Sequence, residues 1–555
     1  MSRPPPRRHG FVIRFLPANL ATLCEGYGLT NLRTDALAGL TVAIVALPLS
    51  MALAIASGVG PERGLYTAIV GGFLVSAFGG SRYQIGGPAG AFIVLVSACV
   101  MQTGLPGLIT ATFLSGLMLI AAGLLRIGSY IRYIPYPVTV AFTAGIGIII
   151  MASQLGNFFG LSLAGDEPAE FVNKLRVLWA ARETVTWSAL AIALLSVAII
   201  QGLRRWRPHW PGMLIAVFLS SVVAAAMSLP VETIATSFGR LPNLPPAPAL
   251  PDFDAATLTA ALPFAVSFAL LGAIESLLSA VVADGMSGTR HESNTELVGQ
   301  GIANIGSALF GGFCVTGTIA RTATNVRAGS QGPVSGMLHA LFLLAFMAVA
   351  APLAGYVPLA SLAGVLMVVA WGMIERREIR ILVRTTRGDA LIVLTTLLLV
   401  VFRDLISGIV VGFAIAGLVF IKRMAEESRI QNDNSEPATP QNQDPDIIFY
   451  RVQGPLFFGS AAEVGAILDR ISVRPAAFVI DLGGVPLIDT SGARNLKLLA
   501  ERMTRGGGRF HILGANGNVR RLLSRQGLDP PLAHYAASLD QIDKSASPAT
   551  PRSSS

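Results

Sequence analysis

Charge is the first scarcity in this 555-residue sequence: only 13% of its residues are Asp, Glu, Lys or Arg. A soluble domain carries about a quarter. A chain that is also 52% hydrophobic, with mean hydropathy +0.62, therefore reads as a membrane protein. Cysteine is scarce too: Cys24, Cys99 and Cys314 lie far apart, which excludes a disulfide framework and zinc-type spacing. The six histidines are equally scattered, and His291 and His339 read as loop or core residues, not relays. No hydrolase triad, Walker loop or metal-ligand cluster is visible, so neither enzymatic activity nor a cofactor or metal is expected. The N-terminal MSRPPPRRHGFVIRFLPANL lacks an apolar core with a small-residue cleavage site and reads as a tail, not a signal peptide. The net charge of +9 sits largely in short connections between apolar segments, which points to membrane topology and away from nucleic acid.

Long apolar runs are what the sequence has in abundance. A membrane-spanning helix needs about 20 such residues. Twelve candidates fall near 36–57, 62–79, 107–125, 132–152, 186–203, 211–228, 261–282, 295–310, 334–353, 357–374, 388–402 and 405–422. Two more, 84–102 and 312–328, are shorter and interrupted by Gly and Pro. Fourteen crossings put both termini on one side. The basic connections share that side: Arg126 with Arg132, Arg204 with Arg205 and Arg207, and Arg376, Arg377, Arg380, Arg384 and Arg387. The opposite loop, 229–260, holds only Arg240, so both termini are expected in the cytoplasm and the protein in the inner membrane. The interrupted segments are third and tenth in order, so the chain divides into seven plus seven spans, the second set inverted. Such segments at matched places in inverted repeats mark a transporter's binding site.

The membrane part is expected over 35–424, after a tail of 1–34. A polar, Pro-rich linker (425–445) leads to a soluble α/β domain at 446–541, and a disordered tail covers 542–555. In that soluble domain IIFYRVQG, AAFVIDLG and RFHILGA read as strands, AAEVGAILDRI and SGARNLKLLAERM as helices.

Residues 84–102 contain Gly87, Pro88, Ala89, Gly90 and Ala91, an extended piece followed by a helix with Pro in its first turn. A helix that starts in mid-membrane offers unpaired N–H groups and a partial positive charge to an anion. A packing kink is the plain alternative. Segment 312–328 mirrors it: GFCVTG is extended and the helix restarts around Thr318 to Arg321, including Ala320 and Thr322. Arg321 adds a full charge whose insertion costs at least ~2.5 kcal/mol, so it needs a partner or a job. Glu275, in the span FAVSFALLGAIESLLSAVVADG, is a carboxylate that an adjacent arginine balances for proton coupling. Ser276 and Ser279 lie beside it on the helix. Pro48, Ser50 and Met51 occupy the matched position in the first span and line the same pocket in this reading. The cluster Gly64-Leu65-Tyr66 reads as close helix packing.

LPLSMALAIASGVGPERGLYTAIVGGFLVSAFGGSRYQIGGPAGAF and LLGAIESLLSAVVADGMSGTRHESNTELVGQGIANI, with IARTATNVRAG, resemble the SulP anion-transporter family. The likeness is especially to its bacterial C4-dicarboxylate-transporting branch. VIDLGGVPLIDTSGARNL resembles a STAS domain. The resemblance covers roughly 15–540. It implies a core (spans 1–4 and 8–11) and a gate (spans 5–7 and 12–14) in a polytopic α-helical fold with a cytoplasmic STAS domain. It also implies elevator-like movement, homodimers, and an anion held between the third and tenth half-helices. Several relatives carry serine where this chain has Ala320, so backbone N–H groups must do more here. Glu275 matches a position used for cation or proton coupling. In STAS domains the loop Asp-Ser-Ser-Gly is phosphorylated on its first serine in some members. Here it reads Asp489-Thr490-Ser491-Gly492, and Asp before a helix is also an N-cap. A cytoplasmic protein partner for that domain is left open.

The reading is proton-coupled uptake of a carboxylate or C4-dicarboxylate across a lipid membrane. Sulfate or bicarbonate, with sodium as the alternative coupling ion, is the runner-up. A passive anion channel and a STAS-based sensor or scaffold are the remaining classes.

Overall fold

The computed structural model describes residue 18 and residues 27–131, 135–163, 165, 168, 170–207, 210–427, 429–432, 447–458 and 477–536. Most of the expected tails and linker, the expected helix at 461–471, Cys24 and Arg132 lie outside these residues. The chain divides into two compact units, 1–413 and 414–555.

Every expected apolar segment contains helix, and the last of these helices runs from the first unit into the second. In chain order these are α1 (Leu29–Ala56), α2 (Pro61–Tyr66), α3 (Gly72–Phe78), α4 (Ile93–Leu124), α5 (Tyr136–Phe159), α6 (Trp187–Trp206) and α7 (Gly212–Ala226). The second half has α8 (Ala255–Ser287), α9 (Ser293–Leu309), α10 (Ile319–Arg327), α11 (Val334–Ala354), α12 (Leu359–Met373), α13 (Arg387–Phe402) and α14 (Leu405–Glu427). Among the described residues, eight helices, α4 included, are long and apolar enough to cross a membrane. The others are short or broken. A π-helical turn, Thr67–Gly71, joins α2 to α3 as one crossing. The third and fourth spans both lie in α4, divided at Gly104 (φ 67°), a conformation suited to glycine, with Pro106 just after it. Local chemistry sets other boundaries. Asp254 caps α8 by accepting from the Ala256 and Thr257 N–H groups, both at 3.1 Å, and Gly288 (φ 72°) ends that helix in the left-handed region.

Packing follows the inverted repeat. Helix α4 lies along α8 and α9, while α11 lies along α1 and α3, so the first four spans of each half interlock. Small residues allow this. A β-carbon on Gly116 would stand 2.6 Å from the Gly301 carbonyl oxygen, and one on Gly301 would stand 2.5 Å from that of Gly116. Helices α5, α6, α7, α12 and α13 form the second group. Within it Ser361 bonds Ser196 (3.0 Å) and Ser220 (2.7 Å), a buried polar knot in an apolar layer. Two short amphipathic helices that hydropathy does not reveal lie at matched places in the halves, Phe171–Ala180 and Arg376–Thr385.

The second unit is a five-stranded sheet in the order β3 (Arg429–Asn432), β4 (Ile447–Gln453), β5 (Ala477–Gly484), β6 (Arg509–Leu513), β7 (His534–Ala536). Only the β3–β4 pair is antiparallel. Helices α15 (Thr490–Arg505) and α16 (Gly517–Arg525) belong to this unit, and Phe478, Ile480, Leu496, Phe510, Ile512 and Leu523 share its core. Strand β3 falls where a featureless linker is expected from 425. An edge strand is hydrogen-bonded on one side only, so a polar sequence suffices for it.

Candidate functional site

Two extended pieces meet inside the first unit. Strand β1 (Gly86–Gly87) pairs antiparallel with β2 (Thr316–Gly317), Gly86 opposite Gly317 and Gly87 opposite Thr316. The third span's helix leaves β1 through a 3₁₀ turn, Gly90–Phe92, and the tenth, α10, leaves β2 at Thr318. Neither start has a side-chain cap. Both therefore present N–H groups and the positive end of a helix dipole. The first start is capped by Ala89, so Pro88 precedes the helix and is not in its first turn. That placement leaves the Pro88 carbonyl facing Arg321.

Arg321 is 2% exposed. Its Nη2 donates to Ser50 Oγ (3.2 Å) and to the Pro88 carbonyl oxygen (3.4 Å). Ser50 in turn donates to the Ala46 carbonyl oxygen at 2.7 Å, fixing its lone pairs toward the guanidinium. Nε and Nη1 have no hydrogen-bond partner. Gly87 explains how the group fits, since a β-carbon there would overlap Arg321 Nη1. Met51, Ala89 and Ala91 are buried, and Ala320, one residue before the arginine, is exposed. A β-carbon on Gly90 would stand 2.6 Å from Ile150 of α5, so this helix start abuts the second helix group.

The other expected residues are placed differently. Glu275 is half-buried and has no hydrogen bond or ion pair among the described residues, so it is not the partner of Arg321. The arginine takes neutral acceptors from α1 and from Pro88 instead. Ser276 and Ser279 bond to neighbours other than Glu275: Ser276 donates to Glu296 Oε1 (2.9 Å) and Ser279 to Thr322 Oγ1 (3.1 Å). Thr322 Oγ1 also accepts from the Ile85 N–H at 3.1 Å, which ties α10 to the root of β1. In the second unit Asp489 is an N-cap, accepting from the Gly492 N–H at 2.7 Å, and Thr490 and Ser491 are exposed.

Sequence reasoning misses the residues that hold the two strands. Glu296 is fully buried and accepts four bonds: from Gly80 N–H (2.9 Å), Ser81 N–H (3.1 Å), Gln84 Nε2 (2.6 Å) and Ser276 Oγ. One helical turn on, Gln300 Nε2 donates to the Val315 carbonyl oxygen; a turn further, Asn304 accepts from Val315 N–H (3.1 Å) and donates to its carbonyl (3.0 Å). Helix α9 thus grips the chain just before β1 and just before β2. The available signal is the spacing of Glu296, Gln300 and Asn304, a polar stripe at every fourth residue of an apolar span.

A multi-pass helical bundle in which two opposed helix starts frame a buried arginine is the architecture of a membrane transporter of anions, not of an enzyme. Residues 32–396 match the sulfate permease family and residues 438–541 match the STAS domain. The chain belongs to the sulfate permease family. It is 40% identical over 506 residues to a putative sulfate transporter of Bacillus subtilis, YvdB, covering 91% of this chain and 95% of that one. It is 32% identical to the bicarbonate transporter BicA of Synechocystis, over 89% of this chain and 90% of the relative. The solved transmembrane domain of a cyanobacterial BicA superposes with a TM-score of 0.62 at 32% identity, covering 70% of this chain and 98% of that one. Murine Slc26a9, an anion transporter solved in the inward-facing state, superposes with a TM-score of 0.83 at 18% identity, over 97% of this chain and 95% of that one. That likeness carries the fold: seven plus seven inverted spans followed by a STAS domain.

Proposed function

We propose that this protein is a secondary active carrier of a small oxyanion, with sulfate the first substrate and bicarbonate the second. The observation that carries this reading is Arg321, whose buried Nε and Nη1 donors are unpartnered between two uncapped helix starts. Buried donors of that kind are otherwise rare, and a tetrahedral or planar oxyanion satisfies several at once. The names of the relatives support the same two anions. A C4-dicarboxylate, expected from the sequence, rests on the resemblance alone and is retained as an arm of the test. Glu275, half-buried and without a partner, is the residue assigned to coupling, with a proton as the coupled ion and sodium as the alternative. Both termini are placed in the cytoplasm, in the inner membrane, with the positive connections. The carrier works as a homodimer whose interlocked helices move as an elevator against α5–α7 and α12–α14.

Proteoliposomes loaded with purified protein test these assignments. Saturable uptake of labelled sulfate, with bicarbonate competing and succinate and fumarate ignored, is the expected result. Uptake of the dicarboxylates alone would reverse the order of substrates. Glu275→Gln should abolish accumulation driven by a pH or sodium gradient while sparing exchange; undiminished accumulation removes Glu275 from the mechanism.

A further inference from the structure

The connection from α12 to α13 contains the helix Arg376–Thr385, which has no buried residue. Arg376, Arg377, Arg380 and Arg384 on it, and Arg387 just beyond, are all exposed. Glu375 and Glu378 are the only acids in the same stretch, and Glu378 already accepts from the Tyr136 hydroxyl at 3.2 Å. Arg376, Arg377 and Arg380 line an open cleft of about 620 Å³ together with Trp371 and both glutamates, which leaves the arginines in excess. The Arg376 guanidinium lies over the Trp371 ring, 4.2 Å from its centre, as a cation held on an aromatic face at a membrane boundary.

Trp371 also lines a second cleft. That one, about 280 Å³, is bounded by Met151 and Phe158 of α5, Val197 of α6, and Met367 and Val368 of α12, with Gln201 as its one polar side chain. An arginine-lined cleft and an apolar groove between membrane helices thus share one tryptophan as a wall. A soluble anion has no use for the groove, and an apolar partner has none for the arginines. A molecule with an anionic head and a hydrocarbon tail fills both. The arginines also lie on the side where the short connections concentrate positive charge, the leaflet where juxtamembrane arginines meet anionic headgroups. The matched helix of the other half, Phe171–Ala180, repeats the stack, with Arg182 5.4 Å from the centre of Trp179. It has only Lys174 and Arg176 within it, so the cleft with three arginines belongs to one face.

We propose that this paired cleft binds one anionic phospholipid, headgroup phosphate on Arg376, Arg377 and Arg380 and an acyl chain along Val197 and Met367. The proposal does not depend on which anion is transported.

Native mass spectrometry of the full-length protein with phosphatidylglycerol and phosphatidylcholine of equal chain length tests it. Wild type should retain phosphatidylglycerol at least about tenfold better, and R376Q/R377Q/R380Q should lose that preference with phosphatidylcholine unchanged. Val197→Trp, which fills the groove and leaves the arginines, should reduce phosphatidylglycerol retention; it and Arg380→Gln alone serve if the triple variant does not fold. Equal retention of both lipids by wild type, or unchanged preference in all variants, overturns the proposal. So does displacement of phosphatidylglycerol by equimolar inorganic phosphate, which assigns the cleft to a soluble anion. A change of oligomeric state with lipid binding intact assigns it to a second copy of the chain.

Discussion

Arg321 has five N–H bonds to offer, and the protein accepts from only one of its three nitrogens. The two neutral acceptors hold the guanidinium plane without cancelling its charge, and Nε and Nη1 stay unpartnered, the donors that the proposed function gives to the anion. Arg321→Lys keeps the charge but loses the fork, so anion affinity should fall at least about tenfold, ~1.4 kcal/mol, in a binding titration. Gly87→Ala should do as much damage without touching a charge, because its methyl group claims the space of Nη1. Retained affinity in both variants would move the anion site elsewhere. Glu296 is a different kind of residue, one whose bonds are all made. Glu296→Ala strands four buried donors and should lower stability by about 3 kcal/mol or more, read as a lower melting midpoint of the purified protein. Glu296→Gln should cost less: Gln84 Oε1 is unpartnered, so its amide can turn to accept the new N–H.

At the scale of elements, hydropathy alone located the spans, since a run of apolar residues is a local property. Arg321 was legible for the same reason, as a charge standing out from its neighbours. What stayed hidden was contact between distant segments. Glu296 draws its partners from residues 80, 81, 84 and 276, and nothing near it in sequence announces them. Pro88 precedes the helix instead of opening it because the helix start is set by the β1–β2 pairing and by Gly87, not by proline's own preference. The short helix Arg376–Thr385 escaped because its charges mask its periodicity in a hydropathy scan. The crossing of α4 and α9 makes an element-scale prediction. Gly116→Val places methyl groups where the Gly301 carbonyl stands, so the two helices must separate. The variant should lose monodispersity in size-exclusion chromatography; an unchanged profile and melting midpoint would show that the crossing can relax.

At the scale of the whole molecule, the two units answer to different solvents. The sheet carries a pH sensitivity of its own. His511 of β6 is buried, its ring centre 5.7 Å from that of His534 on the neighbouring strand. Burial first, then the charges of His534 and Arg509, hold it below the usual histidine range. Its folded form therefore favours the neutral ring, and the unfolded chain binds the extra proton. The associated stability is fully present above the unfolded value of about 6.5 and is lost progressively as pH falls below it. Limited proteolysis of the full-length protein should release fragments of this unit faster at about pH 5.5 than at about pH 7.5, and His511→Phe should flatten that difference. An equal difference in the variant would assign the effect to other groups.

The two-residue ladder between β1 and β2 has a thermodynamic corollary. It joins the two halves at their interrupted segments, so displacing one helix start carries the cost of displacing the other as well. The full positive charge of this coupled pair comes from one half alone, Arg321, which faces the Pro88 carbonyl and Gly87 of the other.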